Sequence, residues 1–113
     1  MKFEFIPTDE FAKELKRLAK KYRSLKGEFE DLQNQLEKNP TIGKNLGNNV
    51  YKIRMSVKSK GRGKSGGVRI ITYLDIILVE DLTNIYFLSV YDKSDVSSIS
   101  DKEIIKRIEK LWS

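Results

Sequence analysis

Residues 50–58 read VYKIRMSVK, and their alternation decides what kind of fold this chain adopts. Tyr51, Ile53, Met55 and Val57 fall on one side of an extended backbone, and Lys52, Arg54, Ser56 and Lys58 on the other. The stretch predicts a strand with an apolar core face and a cationic outer face. A solvated strand face ordinarily mixes signs. This one carries only positive charge, which suits a platform for phosphates.

The charge bias extends outward from that strand. Residues 38–74 contain nine Lys or Arg and no acid, whereas the whole 113-residue chain is only +6. The rest carries 13 basic and 16 acidic side chains, a net of −3, so the positive field is local. A polyanion, nucleic acid above all, is the implied partner. Residues 59–67, SKGRGKSGG, are too rich in glycine for a helix or a central strand. They resemble a phosphate-binding P-loop only superficially. Lys58 stands where that motif needs its first glycine, and residue 68 onward is β-forming rather than helical.

Upstream, the apolar period is that of helices. Residues 2–6 alternate as a short strand stopped at Pro7, and Thr8-Asp9-Glu10 reads as a helix start. Phe11, Leu15, Leu18 and Tyr22 then form one stripe, and Leu25, Phe29, Leu32 and Leu36 form a second that ends at Asn39-Pro40. The short break predicts a helical hairpin, with residues 41–49 as a loop. Downstream, residues 68–79 are strongly β-forming, residues 80–84 read as a turn, and residues 85–91 return as IYFLSVY. Alternation puts Ile85, Phe87, Ser89 and Tyr91 on one face of that last strand. Ser100-Asp101-Lys102-Glu103 forms a capping box, and Ile104, Ile105, Ile108, Leu111 and Trp112 give a final helix its apolar face. The expected architecture is a single α+β domain over residues 1–113, ordered β-α-α-β-β-β-α, with an antiparallel sheet, an N-terminal helical hairpin and a C-terminal helix.

Composition narrows the chemistry. The chain has no Cys and no His, which removes thiolate nucleophiles, disulfides, imidazole acid–base catalysis and the usual zinc ligands. Any proton transfer falls to Lys, Tyr, Arg or carboxylates. No apolar run approaches the ~20 residues of a membrane span, and the N-terminus has no signal-peptide pattern. A cytoplasmic protein without membrane association is expected.

Taken together, the helical hairpin followed by NP-x-x-G, then YKIR, GKSGGVRIITY and LSVYDKSD before a short helix, resembles the RelE/ParE superfamily of toxin–antitoxin toxins. The GKSGG and YDKS elements are most similar to its HigB/RelE-type branch of mRNA interferases. The resemblance covers essentially the whole chain, and the order and spacing of the motifs carry it. It implies a small toxin that inhibits translation and arrests growth by cutting messenger RNA in the A site of the 70S ribosome, silenced by a cognate antitoxin. It implies a metal-independent endoribonuclease with no cofactor, in which the ribose 2′-OH attacks the adjacent phosphate and leaves a 2′,3′-cyclic phosphate. The family's basic pair falls on Lys52 and Arg54, its Gly-x-Arg arginine on Arg69, and its basic residue after the last strand on Lys93, with Tyr91 two positions earlier. Some relatives carry a tyrosine several residues beyond that basic position. Residues 95–100, DVSSIS, have none.

The same residues make sense chemically. A pentacoordinate phosphorane-like state needs fixed positive charge, and Arg69 offers a bidentate fork for its oxygens. Lys52 or Lys93 is the candidate base, since clustered cations favour release of a lysine proton. Tyr91 could stack on a base or hold the 2′-OH. Lys58, Lys60, Arg62 and Lys64 read as contacts to ribosomal RNA backbone. Three other readings compete: a ParE-like DNA gyrase inhibitor that cuts nothing, a plain RNA-binding module, and a metal nuclease using Asp75, Glu80 or Asp81. The RNA-binding module lacks the paired-aromatic sheet motif, and the three acids fall near a turn where solvation explains them.

Overall fold

Pro7 closes the first strand and Thr8 opens the first helix, so the chain passes from sheet to helix within two residues. The computed structural model describes residues 2–60, 67–95 and 98–113. Strand β1 is Lys2–Pro7 and helix α1 is Asp9–Lys21. Thr8 Oγ1 accepts from the Phe11 N–H (3.2 Å), and its hydroxyl donates to the Phe87 carbonyl (3.0 Å). The cap therefore also ties α1 to the sheet. Helix α2, Leu25–Lys38, buries Leu25, Phe29, Leu32 and Leu36, the whole expected stripe.

Those helices cover one face of a five-stranded sheet whose order is β1-β5-β4-β3-β2. Strands β3 (Val50–Met55), β4 (Val68–Ile77) and β5 (Leu82–Asp92) form the expected antiparallel meander. Phe87 of β5 is the hub of the core on this side, with ring centroids of Phe29, Phe11 and Phe5 at 4.9, 5.3 and 6.0 Å. Helix α3, Asp101–Lys110, starts at Ser100, whose Oγ accepts from the Glu103 N–H (3.1 Å). It closes the opposite face, where Ile104 packs with Val50, Ile71, Leu88 and Tyr91. The α+β class and the order of helices agree with the expectation.

Four details differ from it. The sheet is mixed, because β1 pairs β5 in parallel along its edge. Residues expected as loop contain a further strand, β2 (Lys44–Gly47), joined to β3 by Asn48 and Asn49 at φ 52° and 64°. Two successive residues in the left-handed region make the mirror-image turn that matches strand twist, and asparagine tolerates that region best after glycine. The β4–β5 turn comes earlier than predicted, over Leu78–Glu80 and Asp81, leaving Val79 99% exposed. Ile105 of α3 and Trp112, two residues past its end, are largely exposed instead of joining the core stripe. No helix among the described residues is long and apolar enough to cross a membrane.

Candidate nucleic-acid interface

The site is built at the end of the sheet where β3 leaves and β4 returns. In the β3–β4 ladder Arg54 lies opposite Arg69, and in the β4–β5 ladder Arg69 lies opposite Tyr91. The three side chains form one row across three strands, ~4.8 Å apart from strand to strand. Simple alternation along β5 would have sent Tyr91 to the other face with Ile85 and Phe87. A β-bulge reverses it: Thr72 pairs with Phe87 and Ile71 with Ser89, so Leu88 and Ser89 together oppose one residue. Beyond the bulge the parity changes, as one extra residue requires. Val90 then joins the α1–α2 core, and Tyr91 joins the α3 side.

Glu14 of α1 stabilises the bulge. Its carboxylate accepts from the Val90 N–H (3.1 Å), the Ser89 hydroxyl (3.1 Å) and both terminal nitrogens of Arg107 (3.1 and 3.0 Å). Arg107 of α3 also donates to the Leu88 carbonyl (2.8 Å) and to Glu103 (2.9 Å). The backbone groups freed where β1 ends are thereby satisfied by side chains, as buried polar groups must be.

Arg69 is 3% exposed and Tyr91 5% exposed, so they form the floor of the site rather than its rim. Burial, then the neighbouring Arg54 charge, push the Arg69 guanidinium below its ordinary pKa, while Tyr91 acts in the opposite direction. Like charges directly opposite on a sheet are destabilising. A bound anion would relieve the pair. The Tyr91 hydroxyl is buried without a hydrogen-bond partner among the described residues. Its ring is packed beside Ile99 and Ile104. That packing corrects one expectation: the ring has no open face on which a base could stack.

The rim is cationic. Arg54 is exposed and Lys52, two residues along the same face, is half-buried with Nζ 3.4 Å from Ser98 Oγ. Lys93 follows the last residue of β5, and its backbone N–H donates to the Gly67 carbonyl (3.3 Å). Gly67 has to be glycine, because a Cβ there would overlap the Met55 carbonyl. The two strands approach this closely just before Arg69.

The outer basic residues divide. Lys58 is exposed, at the start of a 3-10 turn (Lys58–Lys60), and its backbone N–H donates to Glu28 Oε2 (2.8 Å). Lys60 does not face solvent: its ammonium is buried in an ion pair with Asp92 and donates to Ser94 Oγ (2.9 Å). The expected RNA contact at Lys60 is corrected accordingly. Arg62 and Lys64 lie outside the described residues.

Asp92 is the residue that alternation missed. Its place at the strand end was visible, but alternation put it on the face of Tyr86 and Leu88, and nothing in the sequence pairs it with Tyr22 and Lys60. Among the described residues, no cluster of three or more Asp or Glu side chains could hold a metal ion. Residues 11–111 match the family model described as RelE toxin of the RelE/RelB toxin–antitoxin system. The match runs through β2 to β5 and includes Lys52, Arg54, Arg69, Tyr91 and Lys93.

Proposed function

This chain belongs to the RelE toxin family of toxin–antitoxin systems, and we propose that it is a HigB/RelE-type mRNA interferase of the cytoplasm. In this reading it cuts messenger RNA in the A site of the 70S ribosome and is neutralised by its cognate antitoxin. The observation that carries the reading is the row Arg54–Arg69–Tyr91, two cations and a phenol brought to one face of the sheet.

The reaction is transfer of a phosphoryl group within the RNA. The 2′-oxygen loses its proton to Lys52 or Lys93 and bonds to the adjacent phosphorus. The bond from phosphorus to the 5′-oxygen breaks, that oxygen takes up a proton, and the products are a 2′,3′-cyclic phosphate and a 5′-hydroxyl. Arg69 offers its planar fork to the non-bridging oxygens, where charge builds up in the transition state. Arg54 adds charge from the rim, and the Tyr91 hydroxyl holds the 2′-OH or the phosphate. Since Arg69 and Tyr91 are buried, contact with RNA requires local movement of the side chains packed on them, and the ribosome-bound substrate supplies that binding energy. Lys58, with Arg62 and Lys64, contacts ribosomal RNA phosphates.

A ParE-like gyrase inhibitor on the same fold is the second reading, and the electrostatic strain at Arg54–Arg69 disfavours it, since a protein that handles no phosphate gains nothing from that pair. Primer extension on a message translated in vitro, with and without ribosomes, tests the proposal. Codon-phased cuts that need ribosomes support it. An intact message, from protein that still arrests growth and causes double-strand breaks in DNA, would point to gyrase.

A further inference from the structure

Asp92 sits between two residues of the proposed site, Tyr91 and Lys93, and its side chain lies on the opposite face of the sheet. It is fully buried and collects bonds from three separate segments. The Tyr22 hydroxyl, at the C-terminal cap of α1, donates to its Oδ2 (2.6 Å). The Lys60 ammonium and the Ser94 backbone N–H (2.9 Å) both donate to Oδ1. Lys60 also lies over the Tyr22 ring, 5.7 Å from its centroid. Alongside, the Lys93 N–H donates to the Gly67 carbonyl. Lys60 and Gly67 are the residues on either side of 61–66, so both stems of this glycine-rich stretch are tied to residues 92–94.

We propose that Asp92 is a positioning residue, a clamp on the back of the sheet that holds the Lys60 and Gly67 stems and the turn bearing Lys93 in register with Arg69. The inference rests on the nuclease reading above. Stability alone is a poor reason for such a group, because a buried ion pair can often be replaced by apolar packing without loss. A carboxylate with several acceptor sites does what apolar packing cannot: it fixes three donors in direction as well as distance.

The test uses the full chain, wild type and Asp92→Asn, in two measurements. Amide hydrogen exchange is expected to speed up 10-fold or more at Lys93 and Ser94, with Ile70 and Val90 still protected. Single-turnover cleavage on programmed ribosomes is expected to fall 10- to 100-fold in kcat, with KM for the ribosome little changed. Lys60→Arg should keep most of the activity and Lys60→Met should lose it. Should Asp92→Asn not fold, Tyr22→Phe, which removes one donor only, should show the same pattern at smaller amplitude. Unchanged exchange at Lys93 and Ser94 would overturn the clamp. Faster exchange with unchanged kcat would overturn its positioning role. Wild-type protein that cleaves nothing would overturn the nuclease reading and the positioning role with it, while the exchange measurement still decides whether the clamp exists.

Discussion

Arg69 faces Tyr91 across the β4–β5 ladder only because the bulge at Leu88 and Ser89 shifts the parity of β5 by one residue. Without it the phenol would lie in the α1–α2 core and the arginine would stand beside a different side chain. The site thus depends on a local irregularity, held by a carboxylate from one helix and a guanidinium from another.

Replacing that carboxylate should be costly. Glu14→Ala leaves the Val90 N–H, the Ser89 hydroxyl and Arg107 short of their acceptor. A loss of about 2–3 kcal/mol is expected from a mostly buried charged acceptor with several donors. Urea unfolding should show it as a lower midpoint with little change in slope, and an unchanged midpoint would remove Glu14 from the account.

Tyr91→Phe is expected to separate stability from activity. The hydroxyl has no partner among the described residues, so its removal should leave the melting temperature unchanged or slightly higher. Cleavage should nevertheless fall about 10-fold or more if that hydroxyl meets the RNA. Equal cleavage by the two proteins would assign Tyr91 to the core alone.

Gly67→Ala should damage both properties. The added methyl collides with the Met55 carbonyl, so β3 and β4 must separate where Arg54 and Arg69 meet. A destabilisation of ~1–3 kcal/mol, the range for overpacking, should accompany loss of cleavage. Thermal unfolding and the ribosome assay, run on the same preparation, check it.

Asp92 gives a pH signature. Hydrogen bonds from Lys60, Tyr22 and the Ser94 backbone outweigh burial, which acts the other way, and hold its carboxyl at about 2, down from 3.8. A depressed carboxyl pKa stabilises the fold fully above the unfolded value, and that contribution is lost as pH falls through the folded value. The shift corresponds to about 2 kcal/mol. The stability gap between wild type and Asp92→Asn should therefore be wide at pH 6 and shrink between pH ~4 and ~2. A gap that stays constant across that window would show that the charge of Asp92 contributes nothing.

Much of this molecule was legible before its structure. Helical stripes such as Phe11–Leu18 and Leu25–Leu36 follow from one period, and strand β3 from another, because burying one face is the dominant requirement on each element. Arg54 and Arg69 could be named because cations without nearby acids stand out in any sequence. What escaped reading depends on relations between distant residues. The edge strand Lys44–Gly47 is exposed along its length and so has no apolar signal, although the Asn48-Asn49 pair was a hairpin cue. The bulge in β5 arises from pairing, and the strand's own residues read as regular alternation. The burial of Lys60 by Asp92 joins positions 32 apart in sequence, and a run of basic residues reads as surface until its partners are known.

The most direct test of the central claim is the single-turnover rate at which Arg69→Ala cleaves a message in the ribosomal A site. Removing the guanidinium also removes its bond to the Val68 carbonyl (3.4 Å), so the variant's melting temperature is measured beside its rate. Its cleavage rate should fall ~10²-fold or more, the scale of a lost transition-state contact. A folded Arg69→Ala protein that cuts as fast as wild type would contradict the account, because the row of cations would then be doing no chemistry.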